Sequence, residues 1–185
     1  VSGMCSLAKI RTGGKGAEGK LSSPGNQETQ FMIYLCLIIV AVVMDQILKY
    51  IVVNDLGMMN SVPVIENFFY IHCIPNDGIA LGMLAGKQTV VIAITSVLMA
   101  ALGIFFFLFR KKFHPFLLCA VAFIVGGGIG NIIDRIRLGY VVDFFEFRIW
   151  PYIFNLADVF VVAGCAMVLI YVLFESRFRG VKKDV

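Results

Sequence analysis

Charge is what this sequence has least of. Asp, Glu, Lys and Arg make up 15% of its 185 residues, whereas a soluble globular domain holds about a quarter. Histidine is nearly absent: His72 and His114 stand far apart and no H-E-x-x-H run occurs. That removes the usual signature of a zinc hydrolase, which needs clustered His, Cys or carboxylate ligands. The five cysteines are scattered without C-x-x-C spacing, and their odd number argues against a disulfide framework. Most of them read as small apolar fillers. Glycine is plentiful, but GGGIGN (Gly126–Asn131) lacks the last glycine of G-x-G-x-x-G and no strand precedes it, so it fails as a dinucleotide cradle.

What is present is hydrocarbon. Hydrophobic residues make up 59% of the chain, and four apolar runs are long enough to cross about 30 Å of bilayer core as helices. They fall near Phe31–Val53, Thr89–Phe109, Phe116–Ile133 and Phe154–Phe174. The fold expected from this pattern is an all-α membrane protein of four transmembrane helices, spanning residues 31–175. Residues 1–30 are Gly-, Ser- and Lys-rich and read as a disordered tail, with Met4 and Met32 as alternative start positions; residues 176–185 form a short basic tail. The first apolar run is too long for a signal peptide and reads as a retained span.

Most of the 16 basic residues lie in three places: the tail before the first span, the hinge Arg110–Lys112, and the C-terminal tail. Under the positive-inside rule both termini and the hinge face the cytoplasm, and the loops 54–88 and 134–153 face outward. The net charge of +4 is then an orientation signal touching anionic lipid, and no nucleic acid is implied.

The acids distribute differently. Of the 12 carboxylates, Asp45, Asp134, Asp143 and Asp158 converge on one zone near the outer face. Asp45 lies roughly 20 Å along the first span at 1.5 Å per residue; Asp134 is expected to cap the outer end of the third. Ionisable residues at membrane depth mark function by default. Asp45 has a structural alternative, an i,i+4 pair with Lys49, and Asp134 could pair with its neighbour Arg135. Asp143 and Asp158 bracket VVDFFEFRIWPYIFNLAD, a stretch with few other polar side chains. Two carboxylates held close cannot both ionise, so one can activate water while the other polarises a carbonyl. A serine–lysine peptidase would need Ser61 beside Lys49 or Lys87. A proton-coupled carrier would need acids reaching both faces, and a structural subunit would use them for stability alone.

Five blocks carry a resemblance: DQILK (Asp45–Lys49), NDGIALG (Asn76–Gly82), GGGIGNIIDR (Gly126–Arg135), VVDF (Val141–Phe144) and FNLAD (Phe154–Asp158). In this order the chain resembles the bacterial lipoprotein signal peptidases, or signal peptidase II, a family of intramembrane aspartic peptidases. Leu48, Leu81 and Gly128 depart from the family's usual residues. The resemblance implies a catalytic pair of Asp143 and Asp158, with support from Asn76, Gly78, Asn131, Asp134, Arg135 and Asn155. Asp45 and Lys49 are implied to be structural. It also implies a β-rich extracytoplasmic platform, and Ser61–Ile74, rich in β-branched and aromatic residues, suits that role. The implied substrate is a prolipoprotein whose cysteine carries diacylglycerol, cleaved before that cysteine in the bacterial inner membrane. No cofactor or metal is implied, globomycin-type peptides would occupy the cleft, and the chain is expected to be a monomer. The loop Pro75–Lys87, with Gly78, Gly82 and Gly86, is expected to act as a lid.

Overall fold

The computed structural model of the chain describes residues 24–78 and 87–174. The basic C-terminal tail, most of the N-terminal tail and the centre of the expected lid, with Leu81, Gly82 and Gly86, lie outside the described residues.

Four helices dominate: α1 (Pro24–Ile51), α2 (Gln88–Phe109), α3 (Pro115–Leu138) and α4 (Leu156–Leu173). Each carries a segment long and apolar enough to cross a membrane. The α1 helix starts earlier than the apolar run, at Pro24, since proline is tolerated in a helix's first turn. A π-helical turn (Val52–Leu56) then extends it toward the loop. The α3 helix runs on to Leu138, where Gly139 at φ +81° bonds back to the Arg135 carbonyl and ends it. Asp134 therefore sits inside the helix, which corrects the expectation that it caps the end. The apolar stretch ended at Ile133, but Arg135 and Arg137 suit a helix C-terminus and let the helix continue.

The α3 helix is central, packing against α1, α2 and α4. Its glycines permit this. At Gly127 a Cβ would run into the Ala157 backbone carbonyl of α4, and at Gly130 it would come within 2.7 Å of the Asp45 carboxylate of α1. The outward faces stay apolar, with Ile39, Val97, Ile104, Val162 and Val172 exposed. Such faces suit lipid, where no water is available to polar groups.

Between the helices lies a four-stranded antiparallel sheet in the order β1 (Ser61–Ile65), β2 (Phe69–Asn76), β3 (Val141–Phe147), β4 (Ile153–Phe154). This is the small β platform. Its buried residues Cys73, Val142 and Phe144 pack with Val52 of the π-helical turn and with Leu48 and Leu156 from the helix ends, so the sheet sits on one end of the bundle. The interior of the other end is apolar, built from Tyr34, Phe106, Leu118, Val121, Ala122 and Val125.

Candidate active site

Asp143 stands in the middle of β3, a strand paired on both sides. Between Ile71 and Ile74 the register of β2 shifts by one residue. Such a bulge twists a strand locally and re-aims its side chains. Beyond it, Asn76 pairs with Val141, and its Nδ2 donates to Asp143 Oδ2 at 2.7 Å. Asp158 stands on the first turn of α4. Asn155 is the N-cap of that helix and accepts from the Asp158 backbone N–H at 3.0 Å, while the Asp158 carboxylate accepts from the Asn155 N–H at 3.2 Å. This reciprocal capping box satisfies two backbone donors that the helix start leaves unpaired.

Asn155 joins the two acids. Its Nδ2 donates to Asp143 Oδ1 at 2.6 Å while its Oδ1 holds the Asp158 backbone. The connector between them closes as a short hairpin: Phe145 pairs with Phe154, Glu146 with Ile153, and the Trp150 N–H reaches the Phe147 carbonyl. The fourteen intervening residues, six of them aromatic, thus fold back so that both carboxylates line one cleft of about 1170 Å³.

Asp143 is buried and Asp158 half-buried. Burial pushes the Asp143 carboxyl up, and the nearby negative Asp158 adds to it; the amide hydrogen bonds of Asn76 and Asn155 oppose. The result is about 6. A carboxyl with such a value keeps a proton under conditions where an ordinary aspartate has lost it.

The other two aspartates are held differently. Lys49 Nζ lies 2.7 Å from Asp45 and 2.8 Å from Asp134, all three side chains being almost fully buried. Asp45 also accepts from the Ala157 N–H at 2.9 Å, capping the start of α4 from another helix. Gln46 donates to Asp134 at 2.8 Å and to the Gly130 carbonyl at 3.2 Å. The two regions are linked through Asn131, which accepts from Lys49 at 3.0 Å and donates to Asp158 at 2.8 Å.

Arg135 faces the cleft. Its Nη2 donates to the Gly78 carbonyl at 2.9 Å, and the Gly78 N–H bonds Asn76 Oδ1 at 2.9 Å. Its Nε is buried and has no hydrogen-bond partner among the described residues, although buried polar groups are nearly always paired. Apart from Asp77, the rest of the wall is apolar. Trp150 and Tyr152 stand at the rim, and Val159, Val162, Ala163 and Ala166 form one face along α4. That i, i+3, i+4, i+7 spacing carries the groove roughly 10 Å down the helix, into the span.

All ten residues singled out in the sequence thus fall into one connected cluster, with Asn76, Gly78, Asn131, Arg135 and Asn155 around the Asp143–Asp158 pair. The expected Asp45–Lys49 pair is present, whereas Asp134 takes Lys49 rather than Arg135 as its cation. Ser61 is exposed on the edge strand while Lys49 is enclosed by acids, so these two do not pair. Among the described residues no three His, Cys, Asp or Glu side chains converge as a metal site. Gln46 was missed, although it sits inside the DQILK block. The capping box in FNLAD was also legible, as Asn and Asp three apart before an apolar run.

The sequence profile of signal peptidase (SPase) II matches residues 37–174. A lipoprotein signal peptidase of Clostridioides difficile (strain 630) is 43% identical over 150 residues, covering 80% of this chain and all of that protein. One from Halothermothrix orenii is 39% identical over 146 residues, covering 79% and 98%. A bacterial membrane enzyme solved at 2.3 Å superposes with a TM-score of 0.73 at 32% identity, covering 83% of this chain and 94% of its own. The chain belongs to the signal peptidase II family and is a multi-pass membrane peptidase.

Proposed function

We propose that this peptidase removes the signal peptide from diacylglyceryl-modified prolipoproteins, cutting before the lipidated cysteine, with Asp143 and Asp158 as its catalytic pair. One observation carries the reading. Two carboxylates with amide partners share the wall of a cleft that continues as an apolar groove along α4. A lipidated peptide needs both parts: a polar site for the scissile bond and a path for chains that stay in hydrocarbon.

The pair shares one proton, and Asp143, the more buried, carries it. Asp158 sits at a helix N-terminus whose backbone dipoles favour negative charge. A water between them gives a proton to Asp158 as its oxygen attacks the scissile carbonyl. Asp143 donates its proton to the carbonyl oxygen, forming a neutral gem-diol. Collapse of that diol returns a proton to Asp143 while Asp158 protonates the leaving amine, and the pair regains its starting state. The Arg135 guanidinium, which lines the cleft, supplies a donor for a backbone carbonyl of the substrate.

The lysine and arginine bias supports an orientation with the platform outside the bacterial inner membrane and both termini in the cytoplasm. A globomycin-type cyclic peptide would then compete for the cleft from outside. The test is cleavage of a diacylglyceryl-modified prolipoprotein by Asp143→Asn and Asp158→Asn. Each is expected to lose activity by about a thousandfold or more. Near-normal cleavage by either folded variant ends the dyad assignment, and equal cleavage of unlipidated precursor ends the substrate assignment.

A further inference from the structure

A second cavity, of about 190 Å³, opens at the end of the bundle opposite the aspartates, between the start of α1 and the α2–α3 hinge. Arg110 and Lys111 of the hinge and Gln30 of α1 line it, over Phe31, Tyr34 and Phe113. The peptidase reading makes no use of it. Among the described residues its lining holds two cations and no carboxylate. None of the ion pairs among the described residues involves Arg110, Lys111 or Lys112.

Arg110 is preorganised. Its guanidinium carbon lies 4.2 Å from the Phe107 ring centroid and 5.1 Å from that of Phe31, and its Nη1 donates to the Phe107 carbonyl. Stacking fixes the plane of the group and leaves its edge for hydrogen bonds; of five N–H donors, the Phe107 carbonyl takes one. The 24-residue α3 begins beside the cavity at Pro115, so the positive end of its backbone dipole adds to the two side chains. The space is smaller than the roughly 300 Å³ at which pockets for whole small molecules begin. It suits a headgroup.

The surroundings say what bears that headgroup. Ile33, Phe107 and Leu108, on the spans beside the cavity, are exposed and apolar. They offer acyl chains a surface directly next to the cations, which a water-soluble phosphate would not use. We infer that this cavity seats the phosphodiester of an anionic glycerophospholipid, from the leaflet on the hinge side. Arg110 takes the phosphate oxygens in a forked geometry and Lys111 adds charge. The lipid then tethers the α2–α3 hinge to α1. This inference is independent of the catalytic assignment.

Native mass spectrometry of the full chain in mild detergent tests it, with phosphatidylglycerol and phosphatidylcholine of matched chains as probes. One phosphatidylglycerol should be retained, and each basic residue removed should weaken it about fivefold. Arg110→Gln and the exposed Lys111→Gln are the test variants. Lys112→Gln, outside the lining, should bind as the wild type does. Unchanged prolipoprotein cleavage by Lys111→Gln shows that its fold is intact. Equal retention of the two lipids overturns the inference, as does undiminished phosphatidylglycerol binding in an active Lys111→Gln variant. Complete displacement by glycerol 3-phosphate at millimolar concentration overturns the lipid assignment in favour of a soluble phosphate.

Discussion

Four of the aspartates at one end of this bundle form two pairs with opposite surroundings. Asp45 and Asp134 share a lysine at 2.7 and 2.8 Å in a dry interior. Asp143 and Asp158 have asparagine amides as their nearest partners, from Asn76, Asn131 and Asn155. An ammonium in contact favours the charged form of a carboxylate, so a proton taken up there forfeits that attraction. A carboxylate held by neutral amides, with a second acid nearby, can hold or release one at modest cost. The kind of partner, more than depth or burial, separates acids that hold helices together from acids fit for proton transfer. Arg137 extends the first region outward: it donates to Gln46 Oε1 at 3.4 Å, turning the Gln46 amide toward the acids.

The largest expected effects split along this line. Asp143→Asn and Asp158→Asn should cost about a thousandfold or more in kcat/KM. The folded state should survive both, because amide replaces carboxylate at nearly equal volume. Lys49→Met should do the reverse. It leaves two acids buried without their cation, a loss of about 3–5 kcal/mol, read as a fall in thermal midpoint or as proteolysis in the membrane. If Lys49→Met is as stable as the wild type and merely inactive, the two regions are not distinct in kind. Asn131→Ala removes the link between them. It should lower kcat/KM by about tenfold to a hundredfold through a misplaced Asp158, on the scale of a lost hydrogen bond to a charged group.

Much of this division was legible before any coordinates. The spans followed from hydropathy, and the i,i+4 spacing of Asp45 and Lys49 predicted their contact. That Asp143 and Asp158 belong together followed from their flanks, which hold few other polar side chains. What could not be read is where local rules met tertiary ones. Asp134 looked like a helix cap because the apolar run ended beside it. The actual stop, Gly139, lies one turn further on, after two arginines that suit the helix end. Its partner Lys49 lies on another helix 85 positions away, a pairing no spacing rule reports. The role of Asn155 as a bridge also needed the hairpin of β3 and β4, whose register sets both carboxylates against one side chain.

A smaller effect tests the proton on Asp143. Its carboxyl value in the folded chain, about 6, lies above the ordinary aspartate value of about 3.9. The proton therefore stabilises the folded state fully below about pH 4, and that contribution disappears as pH rises through about 6. Catalysis that needs the same proton should follow the same sign. The kcat/KM profile should fall above about pH 6, by about tenfold per unit, as an apparent constant of the coupled pair. A profile flat from pH 5 to 8 would place the titrating group elsewhere.

The smallest expected effect concerns a third kind of acid on the same strand. Glu146 lies three residues beyond Asp143, so strand alternation turns it to the opposite face. There it meets His72 at 2.7 Å, with Arg148 at 3.8 Å and stacked on Tyr70. The pair is part-exposed, His72 at 16% and Glu146 at 20%, and pairs open to solvent contribute about 0–1 kcal/mol. Glu146→Gln should therefore shift the thermal midpoint only slightly and leave kcat/KM within about twofold. A tenfold loss of kcat/KM with stability intact would show that the far face of β3 also takes part in substrate handling. Position on the strand would then matter less than the partner each acid keeps.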